Sequence, residues 1–166
     1  MKTLILGGKY LLLSLILFLN NVHANEDNFP QPVDLAVTAE QAESKNIPIL
    51  VLFSSVYCDY CKFIKNEFLN PMIRSGDYES KVIIRVIEDD EGDEVIDFNR
   101  KLTDTGDFSE RYNIDFTPTM IFIDAKGKEL AERIVGLGNV EYYGGFIDDA
   151  IMNSQAKINL TVVGHK

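Results

Sequence analysis

The apolar run Ile47-Pro48-Ile49-Leu50-Val51-Leu52-Phe53 leads, within five residues, to Cys58 and then Cys61. An unbroken stretch of branched apolar residues is the pattern of a strand buried on both faces, not of one with a wet side. From Cys58 onward the period changes to that of a helix, with Tyr57, Cys61, Ile64 and Phe68 on one face. The chain is therefore committed to a strand in the middle of a covered sheet, followed directly by a helix whose first turn carries both cysteines.

The remaining elements follow from the same rules. A polar, proline-containing lead-in over 25–32 precedes a helix over about 34–45, where Leu35, Ala36, Ala39 and Ala42 recur at helical spacing. The helix that begins at Cys58 is expected to stop before Pro71, because proline disfavours helical geometry at the residue before it. "KVIIRVI" (81–87) reads as a second buried strand and "DFSERYNI" (107–114) as a short helical segment. "PTMIFID" (118–124) reads as a third strand, turned by "DAKGK" into a fourth, "ELAERIV" (129–135). Asn139 is placed to cap a last helix in which Val140, Tyr143, Phe146, Ile147 and Ile151 face inward, with Tyr142 packing alongside. The C-terminal extension, 153–166, carries little signal beyond a short strand at 158–163. This order predicts an α/β fold: a central mixed β-sheet flanked by helices on both faces.

The first residues place the domain outside the cytoplasm. Lys2 and Lys9 precede the apolar run Leu11–Leu19, and Val22-His23-Ala24 offers compact residues where a signal peptidase reads. This is the layout of a secretory signal, residues 1–24, cut after Ala24, and the protein is expected to be periplasmic. Removing Lys2 and Lys9 leaves 14 of the 16 basic residues against 26 acidic ones, a formal charge of −12 on 142 residues. Such a balance argues against nucleic acid and anionic membrane surfaces as partners.

Disulfides persist in exported proteins, yet this chain has only Cys58 and Cys61. A structural staple closing so short a loop restrains the unfolded chain little. A zinc site needs two further ligands, and beyond the leader the only histidine is His165. An inert buried pair suits an apolar neighbourhood, whereas Asp59 and Lys62 flank these cysteines. Spacing of three on a helix brings both sulfurs to one face, and the first turn favours a thiolate at Cys58. A thiolate there attacks a partner disulfide, and Cys61 resolves the mixed disulfide. Asp59 beside Cys58 opposes ionisation of the thiol, so a reductant or mild exchange catalyst is favoured over a strong oxidant.

"PILVLFSSVYCDYCKFIKNEF" and "FSERYNIDFTPTMIFIDAKGKELAERIVG" together resemble the thioredoxin superfamily over roughly residues 33–152. Within it the chain is similar to small exported proteins of the thiol–disulfide interchange and SoxW type. The resemblance implies a thioredoxin-like fold, no bound cofactor beyond the redox-active Cys58–Cys61 disulfide, and no metal. It also implies a cis Thr117–Pro118 bond facing the cysteines and presenting backbone to an extended substrate. Tyr57 and Tyr60 would add to that substrate surface, and Asp59 and Lys62 would tune the dithiol. Partners would be thiols and disulfides of exported proteins, with electrons from a membrane or soluble thiol donor. The chain would act as a monomer, since no separate dimerisation domain of the isomerase kind is present.

Two departures stand out. Tyr57 occupies the place of the usual Trp before the first cysteine, and Leu52 that of the buried Asp below the site. Without that Asp, proton handling falls to water, to Glu67 or to another carboxylate. "EDDEGDE" (88–94) fails the EF-hand pattern, because aligning Gly92 puts Ile87 at the first ligand position. It reads as a solvated acidic loop within an irregular segment, 88–106, that helps to choose partners. The alternatives kept beside the reductase are an isomerase or oxidase of the same fold and a non-catalytic module binding a partner or metal. "NLT" at 159–161 also fits a glycosylation acceptor.

Overall fold

The structure, a computed structural model, describes residue 29 and residues 31–163. The leader and its cleavage site lie outside the described residues.

Strand β1 (Val33–Asp34) runs into helix α1 (Leu35–Lys45), where the Asp34 carboxylate accepts from the Val37 amide at 2.8 Å as N-cap. Asn46 ends the helix in the left-handed region, with φ of 54°. Strand β2 (Ile49–Ser54) is buried at every position. A helical segment follows as α2 (Asp59–Ile64), a π-turn (Lys65–Leu69) and α3 (Asn70–Ser75). Then come β3 (Ile83–Glu88), β4 (Glu94–Ile96), β5 (Leu102–Asp104), α4 (Thr105–Arg111), β6 (Thr119–Ile123), β7 (Ile134–Val135) and α5 (Val140–Val163).

The main sheet has the order β3-β2-β6-β7, with β2 parallel to β3 and antiparallel to β6. Alternation along these strands divides the core in two. Leu50, Leu52, Ile84, Val86, Met120 and Phe122 face Ile64, Leu69 and Met72 of the α2–α3 region and Tyr143, Ile147 and Ile151 of α5. Ile49, Val51, Phe53, Ile83, Ile87 and Ile121 face the other way, against Leu35, Ala42, Val95 and Phe108. This is the expected mixed sheet between helices, and a second small sheet, β1-β4-β5, lies beside it.

Several boundaries differ from expectation. The helix does not stop at Pro71. Within the π-turn the Asn70 amide bonds to the Lys65 carbonyl, five residues back. The wider turn sets a new helical register in which Pro71 occupies the first turn of α3, where an amide hydrogen is not required. The 88–106 segment is not an irregular loop. β4 and β5 form a hairpin, and β4 pairs in parallel with β1. Its end is closed by Asp97, which is buried and accepts from the Asn99 and Lys101 amides at 2.9 and 3.0 Å and from Arg111 at 2.9 Å. Of the expected fourth strand only Ile134–Val135 and a single bridge at Glu129 remain. Arg133 there bonds Glu129 and the Tyr112 carbonyl, which draws the segment out of the ladder.

Residues 158–163 are helical, not a strand, because α5 continues to Val163. Asn139 accepts from the Glu141 amide at 3.0 Å at its start, and Tyr143, Ile147 and Ile151 form its buried stripe. Tyr142 and Phe146 are exposed instead of packed. At the described end of the lead-in, Phe29 is buried in the core, and the Gln31 amide donates to the Val86 carbonyl at 2.7 Å. No described helix is long and apolar enough to cross a membrane.

Candidate active site

Strand β2 delivers the chain to the site, and residues 55–58 turn it into α2. Asp90 holds this turn from the loop after β3. Its two carboxylate oxygens accept from the Ser55 hydroxyl at 2.6 Å and the Val56 amide at 2.8 Å. The Cys58 amide closes on the Ser55 carbonyl at 3.1 Å. Cys58 is the N-cap of α2: its backbone is extended, and its sulfur accepts from the Cys61 amide at 3.1 Å. An N–H aimed at that sulfur, in a first turn with unpaired amides, favours the thiolate when the pair is reduced.

Cys58 and Cys61 form a disulfide, with Cα atoms 5.2 Å apart. Their surroundings are unequal. Cys58 is partly exposed, whereas Cys61 is fully buried. A partner can reach only the first sulfur.

Tyr57 and Tyr60 point outward around the disulfide, 86% and 64% exposed. Asp59 lies almost wholly in solvent and pairs with Lys62 at 3.4 Å. Solvent and the Lys62 ammonium both screen its charge, so its pull on Cys58 is weaker than the sequence alone implied. The Thr117–Pro118 bond is cis, and Pro118 is buried at the entry to β6. The register Phe53 with Thr119 puts Pro118 at the end of the sheet where β2 leads into the cysteines. Phe116, one residue before Thr117, is 70% exposed. The only sequence signal for it is a phenylalanine beside Asp115 in a loop.

Leu52 is fully buried, and Glu67 is exposed on the helix. A different carboxylate is buried near the site. Lys65 Nζ lies 2.6 Å from Glu88 Oε1, with only 10% and 11% of the two side chains exposed. In the sequence Glu88 opens an acidic run that predicts a solvated loop, and nothing local marks it otherwise. Among the described residues no group of three or more His, Cys, Asp or Glu side chains is placed to hold a metal ion.

A sheet of this topology, with a disulfide between a helix N-cap and the next turn and a proline entering the neighbouring strand, defines the thioredoxin class of folds. Residues 35–151 match the thioredoxin-like domain family, and the chain belongs to it. Among solved structures, a DsbH oxidoreductase is 18% identical, with 81% of this chain and 92% of that one covered and a TM-score of 0.56. A poplar thioredoxin h is 21% identical over 68% of this chain and 85% of its own, with a TM-score of 0.47. Mitochondrial thioredoxin 3 of Saccharomyces cerevisiae, in oxidised form, is 19% identical over 70% and 93%, with a TM-score of 0.44. The DsbH match is a likeness of fold. No curated protein matches the chain.

Proposed function

We propose that the chain is a periplasmic thiol–disulfide oxidoreductase that reduces or exchanges disulfides in exported proteins. The observation that carries this reading is the unequal pair: a reachable Cys58 at the helix start, bonded to a fully buried Cys61. In the reduced form Cys58 attacks a substrate disulfide, forming a mixed disulfide and releasing one substrate thiolate. Cys61 then attacks Cys58, restoring the internal disulfide and releasing the second thiol. Two electrons pass to the substrate, and a membrane or soluble thiol donor returns them. Thr117 and Pro118 offer backbone to the extended substrate, with Tyr57 and Tyr60 as flanking apolar surface. Export rests on the leader pattern of residues 1–24, and the chain acts as a monomer.

Reduction of insulin-type disulfides by the reduced mature chain tests the reading. Activity should be present in the intact protein and lost in Cys58→Ser. An intact protein without activity would point instead to a module that binds partners through the same surface.

A further inference from the structure

Three stretches of chain meet at the end of the main sheet that carries the dithiol. The registers Ser54 with Glu88 and Phe53 with Thr119 bring together the residues after β2, after β3 and before β6. The first stretch holds Tyr57, Cys58 and Asp59, the second Asp89, Asp90, Glu91 and Asp93, and the third Asp115 and Phe116. Hydrogen bonds tie the second to the first. The Asp89 amide donates to the Ser54 carbonyl at 2.8 Å, and the Asp90 carboxylate takes the Ser55 hydroxyl and the Val56 amide. A turn closed by the Asp93 amide on the Asp90 carbonyl at 3.1 Å then leaves Glu91 exposed. Asp115 is exposed as well, and the order β3-β2-β6 sets it on the opposite flank of β2 from that turn.

No cation of the chain answers this charge. Residues 55–61, 89–93 and 112–118 contain neither Lys nor Arg. Lys62 is engaged with Asp59, and Lys65 with Glu88. Among the described residues, Asp89, Asp90, Glu91, Asp93 and Asp115 form no ion pair. Asp90 is held by uncharged donors, so its bonds fix its place without cancelling its charge. Charge needed only for solubility has no reason to gather on both flanks of the one reachable sulfur. A second feature points to the same chemistry. Tyr57, Tyr60 and Phe116 are exposed here, and the faces of aromatic rings attract Lys and Arg side chains.

We propose that Asp89, Glu91, Asp93 and Asp115 select substrates whose disulfide lies among Lys and Arg residues. The substrate class is a cationic exported polypeptide, and acidic polypeptides and anionic low-molecular-weight disulfides are disfavoured. This rests on the reading of Cys58 and Cys61 as an exchanging dithiol. The carboxylates act on the encounter, before any bond forms, by raising the local concentration of basic segments and repelling acidic ones. The bonds then made and broken are those of the exchange already described.

The test uses three disulfide-containing peptides that differ only in whether Lys, Gln or Glu flanks the cysteine. Mixed-disulfide formation is timed in the mature Cys61→Ser chain, where the product accumulates. At low ionic strength the Lys peptide should react about tenfold faster than the Glu peptide, the lower range for electrostatic steering. The gap should close as ionic strength rises from about 0.02 to 0.5 M. In Glu91→Gln/Asp93→Asn/Asp115→Asn the Lys-to-Glu ratio should fall by about threefold or more, while the Gln peptide stays within about twofold of its original rate. Equal rates for the Lys and Glu peptides would overturn the selection and leave the dithiol reading standing. A preference that survives both salt and the triple variant would likewise overturn the role of these carboxylates. Failure of all three peptides to form a mixed disulfide would overturn the dithiol reading itself.

Discussion

At the scale of single residues, the site depends on a few side chains that hold others in place. Asp90 is the clearest, since it alone ties the Ser55 hydroxyl and the Val56 amide. Asp90→Ala is expected to cost about 1.5–3 kcal/mol, as for hydrogen bonds to a charged group. It should also slow attack by Cys58, whose backbone the same turn positions. Denaturant unfolding and pre-steady-state kinetics measure the two effects. Asp97 gives a pH signature. The hydrogen bond from Arg111, with those from the Lys101 and Asn99 amides, holds its carboxyl below the usual range. The folded pKa is depressed, so the stabilisation is complete above the unfolded value of about 3.9. It is lost as pH falls through the lower folded value. Asp97→Asn should therefore destabilise the protein at neutral pH and make its stability fall less steeply below about pH 4. Unfolding curves at a series of pH values check both slopes.

At the scale of elements, turn chemistry and packing decide what local pattern leaves open. Gly127 in the "DAKGK" turn has φ of 79°, and an added Cβ would lie 2.7 Å from the Tyr112 hydroxyl and 3.0 Å from the Phe98 ring. Gly127→Ala should destabilise by roughly 1–3 kcal/mol from backbone strain, with the contact adding to it, as thermal unfolding would show. The buried strands were legible because a covered strand needs an apolar run, and Ile49–Phe53 has an unbroken one while Ile83–Ile87 is interrupted only by Arg85. Pro71 misled because its effect depends on the hydrogen-bond register before it, and the π-turn changes that register. The β4–β5 hairpin was hidden by acidic residues that say solvent, although Val95 between them is fully buried. The β-branched end of α5 looked like a strand, but Thr161 bonds back to the Lys157 carbonyl within a continuing helix. In the site, the cysteines were legible from their own spacing, and Thr117-Pro118 only through the family resemblance. Lys65 and Glu88 were not, because only the packing of the π-turn against β3 brings Lys65 to Glu88.

At the scale of the whole molecule, the sheet separates two apolar layers, and the dithiol follows the end of its central strand β2. Phe53, fully buried in the second layer, joins the sheet to α4 by stacking on Phe108 at 6.2 Å and meeting Tyr112 at the same distance. Phe53→Ala should cost about 3–5 kcal/mol, with loss of stability seen equally by probes on both sheet faces if the domain unfolds as one unit. Tyr57, Tyr60 and Phe116 are exposed, Cys61 is fully buried, and the Lys65–Glu88 pair is almost wholly buried. The most direct test of the account is a redox titration of Cys58–Cys61 in the mature protein against a thiol–disulfide buffer. The account predicts one reversible two-electron couple, poised between about −270 and −180 mV, the span from thioredoxin to protein disulfide isomerase. A pair that fails to titrate, or a couple near −120 mV as in a strong oxidant, would contradict it.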